Sequence, residues 1–166
     1  RGMHKILLSG VRGEGSDPGN FRNIDVRVGS YFPPQHQEID SLLANLEKYI
    51  NYEDKDYVVQ LAIIHAQFEL IHPFGDGNGR IGRIILPLFL YHKGVLSTPM
   101  LYLSEYFERN RSKYYDRLQF ISEKGDWEGW IEYFLDAVIQ QTDKNIIKAR
   151  EIYGLYETKK EKVAGI

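Results

Sequence analysis

Two apolar runs with helical period are joined by only nine residues, and this join limits the fold more than any other feature. Val58, Leu61, Ala62, His65 and Phe68 mark one face of the first run, while Ile63, Ile64 and Leu70 add apolar weight on its other sides. Such a helix is expected at the centre of a core. It must end near Ile71, because a residue before proline avoids helical angles and Pro73 follows His72. The second run, Arg80 to Tyr91, is nearly all apolar and stops at Gly94. Between them stands "HPFGDGNGR", His72 to Arg80. The loop joins two helices that both read as buried.

The flanking sequence adds further helices. Ile39, Leu42, Leu43, Leu46, Tyr49 and Ile50 form another stripe of three-to-four spacing. Residues 104–125 and 126–151 read as two more helices, with Asp126 as an N-cap after Gly125. Residues 3–9 read as the end of a helix, and 10–20 as a turn-rich loop. Residues 21–32 alternate instead: Ile24, Val26 and Val28 against Asn23, Asp25 and Arg27. That is period two, a strand or short hairpin, closed by Pro33-Pro34. The expected fold is mostly α with one small β element. The charged tail 151–166 reads as a helix end or a linker toward a further domain. The chain opens on Arg1 within a helical pattern, which reads as a piece of a longer protein.

Several function classes are disfavoured. The net charge of −2 provides no global field for nucleic acid, so any anion site must be local. With no cysteine, disulfides and thiolate metal sites are excluded. No stretch reaches the roughly 18 apolar residues of a membrane helix, and the start lacks a secretory layout. A cytoplasmic setting fits these features.

The linking loop has two readings from its residues alone. Gly75, Gly77 and Gly79 can simply permit a turn with positive φ. Alternatively, glycines at alternate positions let backbone N–H groups converge on an anion, and the helix that follows aims its N-terminus at the same place. Arg80 and Arg83, three apart in that first turn, oppose the helix dipole unless a polyanion binds there. Asp76 can hold a hard cation such as Mg²⁺, and His72 has the intrinsic pKa range to take a proton from a hydroxyl. This is not a P-loop: no Gly-Lys-Ser/Thr is present, and a helix rather than a strand precedes it.

"HPFGDGNGRIGR" resembles the Fic family motif H-P-F-x-[DE]-G-N-G-R-x-x-R at all nine fixed places. The likeness extends over residues 3–145: "MHKILL" with "NFRNIDVRVGSYFPP" resembles the family's flap region, "IHAQFELIHPF" its central helix and "RSKYYDRL" its nucleotide-side helix. The resemblance implies a Fic-type helical bundle over residues 1–150, with a hairpin flap at 21–32 and an active-site loop at 72–80. It implies transfer of AMP from ATP to a Tyr, Ser or Thr hydroxyl of a protein, releasing pyrophosphate. His72 would be the general base, and Asp76 would hold Mg²⁺ between the α- and β-phosphates. Gly77, Asn78 and Gly79 would cradle phosphates, with Arg80 on the β/γ side. The site would continue through Ile81 and Gly82 to Arg83 on the γ-phosphate. Tyr114, Tyr115 and Ser122 would border the nucleoside, and Phe74 would pack inward. Val28, Gly29, Ser30 and Tyr31 would lie near nucleotide and target, the flap edge taking a target strand by β-augmentation. Auto-modification and a homodimer are compatible with this reading.

The family's inhibitory motif, [ST]-x-x-x-E-[GN], is not found before the core; Glu14 in "GVRGEG" does not fit it. It lies upstream of Arg1 or is absent. A lysine in place of Gly79 would mark the family's kinases, and other members use another nucleotide donor for phosphocholine transfer. A nucleotide-binding regulatory module without turnover is the alternative from a different class. His4, His36 and His92 read as solvated or structural, His65 as a core histidine with a hydrogen-bond partner, and Trp127 and Trp130 as core. "RNRSKYYDR" reads as a solvated helix face lining the nucleotide pocket rather than a nucleic-acid patch.

Overall fold

The structure is a computed structural model that describes residues 1–9 and 17–164. Seven α-helices follow in chain order: α1 Gly2–Leu8, α2 Ile39–Asn51, α3 Tyr57–Ile71, α4 Asn78–His92, α5 Ser104–Arg109, α6 Arg111–Lys124 and α7 Trp127–Ala164, with a 3-10 turn, His36–Glu38, before α2. No helix is long and apolar enough to cross a membrane among the described residues.

α3 is the axis of the core, as its all-round apolar sequence requires. It packs against α2, α4, α6 and α7. The Asp56 side chain caps its start, accepting from the Val58 and Val59 amides at 2.8 and 3.1 Å. Gln60, fully buried, donates to the carbonyls of Tyr49 and Tyr52 and so closes the end of α2. Trp130, Tyr133 and Phe134 of α7 are at most 1% exposed. Each contributes roughly 2 kcal/mol or more by burial. The Trp130 indole N–H donates to Ala62 O at 2.8 Å, which fixes α7 on α3. At the start of α7, Asp126 Oδ1 accepts from the Gly129 amide at 3.0 Å, the cap expected from sequence.

Four expectations change. Residues 21–32 form no hairpin: a single antiparallel bridge joins Val28 and Tyr31, and no strand exists among the described residues. The reason is physical. An isolated two-stranded ribbon is marginal in water. Here Ile24 is 64% exposed, so the alternation finds no core face, and the Arg22 guanidinium takes the carbonyls of Ile24 and Pro34 that a partner strand would have used. Residues 104–125 make two helices rather than one. The break is Asn110, whose side chain donates back to Tyr106 O at 2.9 Å, an alternative to continuing the helix. α4 starts at Asn78, two residues before Arg80, because Gly77 takes a left-handed φ of 82° and turns the chain into it. α7 runs on to Ala164, past the expected end at 151, and of the two readings of the tail, helix end or linker, the helical one holds as far as it is described. The expected loop at 10–20 is a turn over 17–20; residues 10–16, Glu14 among them, lie outside the described part.

Candidate active site

The site begins where α3 ends. Pro73 stops the helix, and His72 becomes its C-cap with φ 49° and ψ 59°. A non-glycine residue in this region costs about 1 kcal/mol, so something must hold it. Arg22 does. Its buried guanidinium donates to His72 O at 2.9 Å and to Ile71 O at 3.5 Å, and its amide donates to Pro73 O at 2.9 Å. A cation at the carbonyl end of α3 also interacts favourably with the helix dipole. Burial lowers the Arg22 pKa, and Asp25 at 3.7 Å works against that.

His72 is thereby oriented. Its Nδ1 lies 3.3 Å from Glu69 O, so an Nδ1–H donates there and Nε2 is left as the basic nitrogen. Burial pulls its pKa below the ordinary imidazole value, which favours the neutral form.

The loop is braced from inside. Asn78 is buried, and its side chain spans the turn: Nδ2 donates to Phe74 O at 2.8 Å, and Oδ1 accepts from the Phe74 amide at 2.9 Å. Phe74 packs inward, as expected, stacked on the His4 ring with centroids 3.8 Å apart. His4 is fully buried. Its Nδ1 accepts from the Gly19 amide, so Nε2 carries the proton and donates to Asp76 O at 2.9 Å. The histidine of α1 therefore has a structural role, the second of the two roles expected for it.

A cavity of about 500 Å³ opens beside the loop. It brings together His72, Gly79, Arg83, Tyr114, Tyr115 and all of Val28, Gly29, Ser30 and Tyr31. Tyr31 is fixed there by its hydroxyl, which donates to Leu70 O at 2.9 Å. The amides of Asn78, Gly79 and Arg80 form the first turn of α4 and have no intrahelical acceptor. Gly79 lets Arg83 lie close, since a Cβ there would stand 3.0 Å from Arg83 Nη1.

Other expected residues stand apart from the cavity. Asp76 and Arg80 pair with each other at 3.0 Å on a half-exposed rim, and Asp76 Oδ1 also accepts from the Gly77 amide. Arg80 lines a neighbouring groove with Arg83. Ile81 belongs to the core, and Gly82 is the point where α4 meets the side chains of His65 and Glu69 on α3. Ser122 is exposed and turned onto its own helix, donating to Gln119 O; it does not reach the cavity. His65 is buried with its Nε2 3.1 Å from the Tyr114 hydroxyl, and burial lowers its pKa to about 3.

Arg111 and Leu118 line the cavity from the stretch expected on the nucleotide side, while Glu69 and Gln119 line it without having been singled out from sequence. Glu69 carried a signal: it lies three residues before His72, on the same helix face. His4 and Arg22 carried none, because their contacts with the loop span 72 and 50 residues.

No group of three or more His, Asp or Glu able to hold a metal occurs among the described residues. Asp76 offers a single carboxylate beside the free amides of α4. That donor set fits Mg²⁺ shared with phosphate oxygens and water, as this ion prefers, and does not fit a protein-only cage. Oδ2 would have to leave Arg80 for the ion.

The chain is also similar to known proteins. The family model described as Fic/DOC matches residues 1–90, through the loop and most of α4. A protein adenylyltransferase Fic from Culex quinquefasciatus is 30% identical over 144 residues, covering 85% of this chain and 27% of that protein. A probable protein adenylyltransferase from Aquifex aeolicus (strain VF5) is 34% identical over 105 residues, covering 61% of this chain and 30% of that protein. The chain thus spans less than a third of the length of these relatives. The crystal structure of a Fic family protein from Desulfovibrio desulfuricans G20 superposes with a TM-score of 0.76 at 24% identity, covering 89% of this chain and 46% of the other.

Proposed function

Because the chain belongs to the Fic/DOC family, we propose that it is a protein adenylyltransferase, moving AMP from ATP to a Tyr, Ser or Thr hydroxyl of a target protein and releasing pyrophosphate. One observation carries this reading. A histidine with Nδ1 engaged and Nε2 left basic shares one cavity with an arginine at a helix N-terminus.

In the proposed reaction the target hydroxyl gives its proton to His72 Nε2. Its oxygen forms a bond to the α-phosphorus, and the bond from that phosphorus to the β-phosphate oxygen breaks. Arg83 and the free amides of Asn78 and Gly79 meet the charge of the leaving pyrophosphate, and Arg80 adds a second cation once Asp76 releases it. Asp76 would hold Mg²⁺, which supplies charge neutralisation on the phosphates. Tyr114 and Tyr115 provide the aromatic wall for the nucleoside. The 28–31 segment lines the same cavity as His72 and would receive a target segment.

Incubation with α-labelled ATP, Mg²⁺ and cell proteins tests this. Label should appear on protein, on the chain itself or on a target, and should vanish in His72→Ala with the Tm unchanged. Transfer of γ-label instead would make the chain a kinase. Nucleotide binding without any label would make it a regulatory module. The pH profile is a second check. A depressed His72 pKa keeps the base neutral at pH 7, so the acid limb of kcat/KM should lie below pH 6.5. An acid limb above 6.5 would remove His72 from the role of base.

A further inference from the structure

α3 brings a second titratable group to the cavity. Glu69 sits one turn before His72 and lines the same cavity as Arg83 and Tyr114. Its Oε1 is buried with no hydrogen-bond partner among the described residues. The carboxyl is pressed against α4 at Gly82, where an added Cβ would overlap Oε1 and lie 3.3 Å from His65 Cε1. Gly82 is therefore what admits an acid here. No ion pair to Glu69 forms among the described residues; Arg83 acts on it only through space.

The groups that face it come from four elements. α3 provides His65 and His72, both favoured neutral by burial. α4 provides Arg83, and α6 provides Arg111, Tyr114 and Tyr115. The 28–31 segment provides Tyr31. Burial pushes the phenols of Tyr31 and Tyr114 up, so they stay neutral. Burial likewise pushes the Glu69 carboxyl up to about 7, and Arg83 works against it.

A polyanion on Arg83 changes this balance. It engages Arg83, the cation that favours the carboxylate, and places negative charge next to it. An ionised Glu69 then faces phosphate across a poorly solvated gap, whereas a protonated one has an O–H to donate. We propose that Glu69 is a specificity-determining residue that receives the polyphosphate as a neutral carboxylic acid, taking one proton from solvent as the ligand seats and donating its O–H to a phosphate oxygen. This inference rests on the reading of the cavity as a nucleotide site, but it concerns binding and not transfer.

Calorimetry with Mg²⁺ and a non-hydrolysable ATP analogue, α,β-methylene-bridged, tests it. Titrations at pH 7.5 in buffers of different ionisation enthalpy count the protons exchanged. The unaltered chain should take up a fraction of a proton, and its affinity should fall by up to ~10-fold per pH unit between pH 7 and 9. Glu69→Gln should show no uptake attributable to the site, a flatter profile, and tighter binding than the unaltered chain at pH 8.5. Equal uptake in Glu69→Gln would overturn the proposal, as would weaker binding at every pH. Carbon-13 NMR of the Glu69 carboxyl in the unaltered chain guards against a misfolded variant. Its midpoint should rise when the analogue is added, and a fall or no change refutes the idea. If the analogue binds with proton uptake but α-label never reaches protein, the transferase reading fails and this one stands; if neither the analogue nor tripolyphosphate binds, both fail.

Discussion

Residues 72–79 and residues 21–32 both run past the same cavity with little or no repetitive structure, and they are built in opposite ways. In the first, buried side chains satisfy the backbone: Arg22 at the entry and His4 beneath it from distant parts of the chain, and Asn78 from across the turn itself. In the second, one bridge between Val28 and Tyr31 stands in for a ladder, and Ile24 and Phe32 are 64% and 69% exposed. The loop at 72–79, the phosphate side of the proposed reaction, is thus preorganised, as charge stabilisation would require. Residues 21–32, the target side of the proposed reaction, have little regular pairing and exposed apolar residues, which would suit a surface that accepts another chain. Arg22 hydrogen-bonds to both.

Substitutions can break this contrast. Arg22→Ala should have the largest effect, ~3 kcal/mol or more, because it leaves carbonyls of both segments without a donor. A fall in Tm of roughly 10 °C by thermal denaturation is expected for a chain of this length. Arg22→Lys should recover only part, since one ammonium cannot fork among them. Asn78→Ala should cost ~2 kcal/mol by orphaning the Phe74 amide and carbonyl, and should weaken nucleotide binding as well. Ser30→Ala should be the smallest, below ~0.5 kcal/mol, because its contact with Gln119 is exposed. It should alter labelling of a target while leaving Tm and nucleotide affinity in place. If Ser30→Ala lost as much Tm as Asn78→Ala, the two segments would not differ as described.

Much of this was legible in the sequence. The three-to-four stripes of α2 and α3, the stop at Pro73 and the glycine before α4 are local signals, and local physics decided them. The twelve-residue motif placed His72, Gly79 and Arg83 around one cavity, though it did not reveal that Asn78 would be spent inside the loop and Asp76 on Arg80. Period-two alternation at 21–32 misled because it reports what a strand would look like and not whether a partner strand exists. Asn110 looked like an ordinary helix residue, since its competing side-chain bond is invisible in composition. Nothing in the sequence marked Glu69 as buried, since acids usually are not; Gly82, from another helix, makes its burial sterically feasible.

The stacking of His4 on Phe74 and its bond to Asp76 also bear on how the molecule is assembled in time. Those contacts close a span of about 70 residues, whereas α3 and α4 can meet through their short link. Distant closures come late in folding, after local ones. Refolding should then proceed with the core helices paired first and the loop still unset, and competence to bind nucleotide should arrive in a slower phase than helix content, when α1 docks.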